Sequence, residues 1–198
     1  MSTRNGTHMI LNGRMVPFAE ARIHCLSPAI TYAANVFEGI RAYWNAEEGQ
    51  LYVFRLEEHL ERLEYSARVM RLGRHPWDRD TLRGQVLDLL RANDARESVH
   101  MRIHLYADED GFMTATEPVG MFISCVFRPT TQKAREGCTA QVSSWTRIAD
   151  NASPPRVKSA ANYFNGRLAA LQARQDGYDT AIHSFPYTTL FRSRKSVV

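Results

Sequence analysis

From Ser98 to Tyr106 apolar and polar side chains alternate. Val99, Met101, Ile103 and Leu105 share one face; His100, Arg102, His104 and Tyr106 share the other. A period of two predicts a strand with one face in a core. The period changes between Leu56 and Met70, where Leu56, Leu60, Leu63, Ala67 and Met70 recur at helical spacing with charges between them. That spacing predicts an amphipathic helix ending near Gly73. A second helix is predicted from about Asp78 to Asn93, buried through Leu82, Val86 and Leu89 or Leu90. Met9 to Phe18 reads as a hairpin turning at Asn12-Gly13, and Leu51 to Arg55 as a short strand. Ile23 to Tyr43 mixes apolar and small residues around Phe37-Glu38-Gly39-Ile40-Arg41. Gly120 to Phe127 is a continuous apolar run, predicted as a strand buried on both sides. Arg128 to Gly137 is polar, contains Pro129 and reads as a linker. Ala140 to Trp145 is predicted as a strand, Asn162 to Arg174 as a helix stopped by Gly177, and Tyr178 to Ile182 as the start of another strand. Helices and strands alternate irregularly and nothing repeats, so the fold class is α+β or mixed α/β.

At 198 residues, 44% of them apolar, the chain is long enough for one core, or for a complete small domain and a piece of a second. No apolar run is long enough to span a bilayer. Met1 to His8 lack the apolar centre of a signal peptide, which points to the cytoplasm. Cys25, Cys125 and Cys138 are widely spaced and odd in number. They are expected to be buried free thiols rather than a disulfide framework or a zinc site. Of the formal charge of +4, Arg192, Arg194 and Lys195 supply +3, so residues 1–183 are nearly neutral and do not describe a nucleic-acid surface.

Four segments could carry chemistry. Lys158 follows Pro154-Pro155 and sits among small residues just before a predicted helix, where a bulky group could approach the backbone. A lysine there could form a Schiff base with an aldehyde cofactor, or be an ordinary surface lysine. Arg62 lies on the first helix. Its planar fork suits a phosphate, and it could equally pair with Glu58 one turn away. Arg102, flanked by His100 and His104, could bind a carboxylate or simply face water; without a cysteine or carboxylate pattern nearby the metal signal is weak, and none is expected. Arg41, close to Tyr32 and Phe37, could line a pocket or belong to a core. None of these signals decides alone.

Together and in order, the segments resemble the branched-chain amino acid aminotransferases, class IV enzymes of fold type IV. The stretches that carry the resemblance are LNGRMVPF, ITYAANVFEGIRAY, VFRLEEHLERLEYSARVM, VHMRIHLYADEDG, QVSSWTR and VKSAANYFNGRLAALQARQDGYDTAI. They run from residue 9 to residue 182, and VFEGIRAY and KSAANY are the most specific of them. The resemblance implies that Lys158 carries pyridoxal 5'-phosphate, that Arg62 holds the cofactor phosphate, and that Tyr163 lies near the cofactor's phenolic oxygen. It implies a substrate pocket lined by Tyr32, Phe37, Gly39, Arg41, His100 and Arg102. His100 departs from the family, whose members often carry tyrosine there. The implied reaction moves the amino group of a branched-chain L-amino acid (Leu, Ile or Val) to 2-oxoglutarate, in a homodimer or higher homo-oligomer. Alternatives on the same scaffold are a D-amino acid or (R)-amine aminotransferase and a 4-amino-4-deoxychorismate lyase-like enzyme, followed by a non-enzymatic remnant. No nucleic-acid or membrane partner is expected.

The implied domains are a small N-terminal α/β domain over 1–127, a linker over 128–137, and the start of a large cofactor-binding domain over 138–182. The family pattern stops after Ile182. Pro186 to Ser193 match, codon by codon, a reading frame of a common sequencing adapter, so 183–198 is expected to be a non-native tail. The family's acidic partner of the pyridine nitrogen would lie further downstream. A chain ending here is therefore expected to be unstable or inactive, and its full-length parent an enzyme.

Overall fold

The alternation around Met101 builds β6 (Val99–Ala107), the middle of an antiparallel sheet in a computed structural model that describes residues 3–129 and 133–184. The other strands of this sheet are β1 (Arg4–Asn5), β2 (His8–Leu11), β3 (Arg14–Pro17), β4 (Asn35–Asn45), β5 (Gln50–Val53) and β7 (Val119–Phe127). They lie in the order β3-β2-β7-β6-β4-β5, with β1 paired to the same edge of β7 as β2. Asn12, at φ 47°, and Gly13, at φ 81°, make the β2–β3 turn; both central residues of such a turn need positive φ.

Two amphipathic helices, α2 (Leu56–Val69) and α3 (Arg79–Ala92), bury Leu60, Leu63, Leu82, Val86 and Leu89 against one face of the sheet. That face presents Ile10, Val36, Ile40, Val99, Met101, Ile103, Met121 and Ile123. Asp78 caps α3 by accepting from the Thr81 N–H at 2.8 Å. At the other end Asn93 ties α3 to β2: its Oδ1 accepts from the His8 N–H, and its Nδ2 donates to the carbonyls of His8 and Leu89.

Both predicted helices and the β2–β3 hairpin lie where the pattern put them. Other expectations need correction. β7 is not buried on both sides: Phe122, Ser124 and Val126 are only partly covered, because the helices pack on the opposite face. Tyr106, placed on the polar face, is 1% exposed. Cys25 and Cys138 are exposed, and Cys125 is buried. Within the expected linker, Lys133–Glu136 forms one helical turn, α4, and residues 130–132 lie outside the described residues.

The chain forms two units. One comprises the described residues up to 129 together with 156–161; the other comprises 133–155 and the described residues from 162 on. In the second unit β8 (Ala140–Thr146) and β9 (Thr180–Ser184) pair in parallel beside α5 (Phe164–Gln175). A 3-10 turn, Ala160–Tyr163, precedes α5, and Gly177, at φ 85°, follows it. β9 includes His183 and Ser184, the first two residues of the expected tail; 185–198 lie outside the described residues. Among the described residues no helix is long and apolar enough to cross a membrane.

Candidate functional site

β5 pairs only with Ala42–Asn45, so the N-terminal half of β4 keeps one edge open. The segment 157–159 occupies that edge. Ser159 bridges Val36, the Phe37 N–H donates to the Lys158 carbonyl at 2.9 Å, and the Lys158 N–H donates to Ser66 Oγ at 3.4 Å. Val157 is buried in the same core. Main-chain bonds and one apolar anchor thus fix Lys158 beside β4 and α2, although about 90 residues separate it from Ser66. Its Nζ stands 5.3 Å from the centre of the Phe37 ring.

Glu38 follows Phe37 and points the other way, into the core between Val36 and Ile40, with no exposure to water. Its carboxylate accepts from Arg62 Nε at 2.5 Å and Nη2 at 2.7 Å, and from His59 Nδ1 at 2.8 Å, both on α2. Burial favours the protonated acid, but the bonds from Arg62 and His59 and the charges of Arg62 and Lys158 outweigh it. The pKa therefore lies below the ordinary carboxylate value. Arg62 does not pair with Glu58; Glu58 bonds Arg55, at i,i+3. Arg55, Glu58, His59 and Arg62 line an open cleft of about 230 Å³.

The far face of the sheet gathers the predicted substrate residues. In the β4–β6 register Phe37 lies opposite His104, Gly39 opposite Arg102, and Arg41 opposite His100. Arg41 donates to the Arg128 carbonyl at 2.9 Å. A Cβ on Gly39 would stand 2.9 Å from His100 Nε2, so the missing side chain leaves room for the imidazole. Burial, reinforced by Arg102, Arg41, Arg128 and Lys158, pushes the His100 pKa down to about 4. His104 is stacked between Phe37 and Phe122, with ring centres 4.9 and 4.2 Å away. Burial, helped by Arg102, brings its pKa down to about 4 as well. Both rings are neutral at pH 7. Arg102 lines a cleft of about 480 Å³ on this face, with Phe18, Arg22 and Phe122. Tyr32, at the C-terminal end of α1 (Pro28–Thr31), is half exposed. Tyr163 belongs to the second unit, at the N-terminal end of α5, and is also half exposed.

The structure therefore sets Lys158 against Phe37 and Arg62 against Glu38, at adjacent positions of β4, and brings Gly39, Arg41, His100 and Arg102 onto one sheet face. Glu38 and His59 were not singled out from the sequence. The available signal was the parity of β4, in which Val36, Glu38, Ile40 and Ala42 share the core-facing positions.

An antiparallel sheet backed by two helices, with a lysine delivered to one strand edge and an arginine braced beside it, matches a known class. The amino-transferase class IV model fits residues 35–185, and the chain belongs to that family. It is 35% identical over 174 residues to an Aquifex aeolicus protein named "Probable branched-chain-amino-acid aminotransferase", covering 86% of this chain and 55% of the relative. Among solved structures it resembles the branched-chain aminotransferase of Thermoproteus uzoniensis crystallised with norvaline, with a TM-score of 0.83 and 35% identity over 91% of this chain and 60% of that one. It also resembles the PLP-form enzyme of Thermobaculum terrenum, with a TM-score of 0.79 and 38% identity over 92% of this chain and 60% of that one. The chain thus spans 55–60% of the length of these relatives.

The first unit's donor set fits pyridoxal phosphate. Lys158 offers an amine for an aldehyde, and beside the cleft Arg62 offers a guanidinium held in one plane by a buried carboxylate.

Proposed function

We propose that this chain carries part of the cofactor and substrate site of a pyridoxal-phosphate-dependent branched-chain amino acid aminotransferase. The observation that carries the reading is that main-chain bonds hold Lys158 against Phe37 of β4 and Ser66 of α2, while the next strand residue, Glu38, fixes Arg62 one turn away on the same helix. The bound cofactor would supply an aldehyde and a ring able to take up an electron pair. Lys158 Nζ would be the amine that holds the aldehyde. When free, the same atom would take up the proton lost by the substrate α-carbon and pass it on to the cofactor's former aldehyde carbon. Arg62 holds the phosphate, and the Tyr163 phenol serves the ring oxygen. Phe37, Gly39 and Tyr32 shape the side-chain pocket. Arg41 and Arg102, with His100 kept neutral near both, select a carboxylate. The substrates are a branched-chain L-amino acid and a 2-oxo acid such as 2-oxoglutarate. The full-length protein is a cytoplasmic homodimer or larger homo-oligomer, with residues 1–127 as its small domain and 138–182 as the start of its large one.

The test is a visible absorption titration with pyridoxal phosphate, on the 198-residue chain and on a version continued with native sequence beyond Ile182. A band that is missing in Lys158→Ala and shifts with L-leucine, but not with D-alanine or an (R)-amine, supports the reading. A continued protein whose spectrum ignores Lys158 defeats it, and release of pyruvate without an acceptor would make it a lyase.

A further inference from the structure

Glu38 stands where an apolar side chain would pack. Its neighbours on the same face of β4, Val36 and Ile40, are fully buried, and so is Glu38 itself. Burying a carboxylate is costly, and a well-packed apolar residue usually stabilises a core at least as well. The bonding pattern explains what the carboxylate does there. Both of its oxygens receive donors: Oε1 takes Arg62 Nε, and Oε2 takes Arg62 Nη2 and His59 Nδ1. Two parallel bonds fix the plane of the guanidinium, and the imidazole keeps the carboxylate from rotating. The carboxylate itself is fully buried, whereas Arg62 is half in water, its side chain 47% exposed, at the cleft it shares with Arg55, Glu58 and His59. The fork fixes Nε and Nη2 of Arg62.

We propose that Glu38 is a positioning residue for the cofactor phosphate, acting through Arg62 with His59 as its brace. The inference rests on the functional reading above. An arginine half in water populates many rotamers, and a phosphate that must collect it pays that ordering cost on binding. Glu38 has already met the cost in the folded chain. Glutamine at this position keeps the shape but turns an NH2 group toward Arg62 or His59. Donor then meets donor, and the guanidinium is driven out of its plane.

The experiment compares pyridoxal phosphate with pyridoxal, which lacks the phosphate, in binding titrations of the 198-residue chain, Glu38→Gln, Arg62→Ala and the double variant. If Glu38 acts through Arg62, Glu38→Gln weakens pyridoxal phosphate by about tenfold and leaves pyridoxal within about twofold. It adds no further loss to Arg62→Ala. Thermal unfolding without cofactor supplies a second sign: Glu38→Gln lowers the midpoint of the parent chain but raises that of Arg62→Ala, where it removes a buried carboxylate that has lost its main partner. Equal losses for both ligands, or a full additional loss on top of Arg62→Ala, would make Glu38 a purely structural residue and overturn the proposal. If Glu38→Gln does not fold, Glu38→Asp carries the same comparison, since it keeps the charge but draws it back by one methylene. A continued protein whose binding is unchanged by Lys158→Ala defeats the functional reading, and this inference with it.

Discussion

Glu38 and Arg62, 24 residues apart, meet in a two-bond fork of 2.5 and 2.7 Å around a carboxylate that no water reaches. The strand supplies the acid on its core-facing side, and the helix packed above supplies the base at its margin. The pair joins the packing of the first unit to its candidate chemistry, because the same helix carries Ser66, which receives the Lys158 N–H.

Arg62→Ala leaves Glu38 buried with the His59 imidazole still bonded to it. Loss of one member of a buried ion pair costs up to about 3–5 kcal/mol, and Arg62 is half in water, so about 2–3 kcal/mol is expected. Urea unfolding at neutral pH measures it. The loss should shrink in mild acid, where the stranded carboxyl takes up a proton.

Acid should weaken the fold in two stages. His100 and His104 have folded pKa values of about 4, below the unfolded value of about 6.5, so the unfolded chain binds more protons between the two. Stability therefore falls as pH drops from about 6.5 to about 4. Glu38, with its lowered pKa, contributes stability above the ordinary carboxylate value of 4.5 that is lost as pH falls through its folded pKa. His104→Phe keeps the stack with Phe37 and Phe122 but cannot titrate. Its stability should fall less steeply than the parent's between about pH 7.5 and about pH 5. An unchanged slope would mean that His104 is not neutral in the fold. His75, whose pKa is also lowered by burial, keeps its share in both proteins.

Asn93→Ala removes the side-chain bonds that tie the end of α3 to His8 and Leu89. At roughly 1 kcal/mol for each net bond, about 2–3 kcal/mol should be lost, read by chemical unfolding. Gly6→Ala should strain the same junction, since its Cβ would stand 2.5 Å from Asn93 Oδ1.

Gly39→Ala should displace the His100 ring, which its Cβ would meet at 2.9 Å, and leave the Glu38–Arg62 fork on the opposite face untouched. Amino acid binding should weaken more than cofactor affinity, because the Arg62 fork on the other face of β4 stays in place. Parallel titrations of cofactor and L-leucine check this; equal loss of both would overturn it.

Much of the frame was legible because periodicity reports burial directly. Leu56 to Met70 and Val99 to Leu105 show which side of a helix or strand meets a core, and the structure keeps those sides. The resemblance then assigned roles to Lys158 and Arg62 in order along the chain. Partners were less legible. Glu58, at i,i+4 from Arg62, was the natural local choice, yet Arg62 turns to Glu38, because a fully buried carboxylate needs a donor more than an exposed one does. The face of β7 was misread for a similar reason: Gly120–Phe127 is apolar throughout, so its pattern could not say on which side the helices would pack.

By itself the sequence determined the elements, their buried stripes and the candidate lysine and arginine, since each depends on neighbours within a turn or two of the chain. The tertiary structure alone decided that 157–159 fill the open edge of β4, that Glu38 braces Arg62 and His59, and that His104 lies neutral between two rings. Those are contacts between residues tens of positions apart. They form only where strand register and helix packing bring the groups within hydrogen-bonding or stacking distance, and no local pattern encodes that distance.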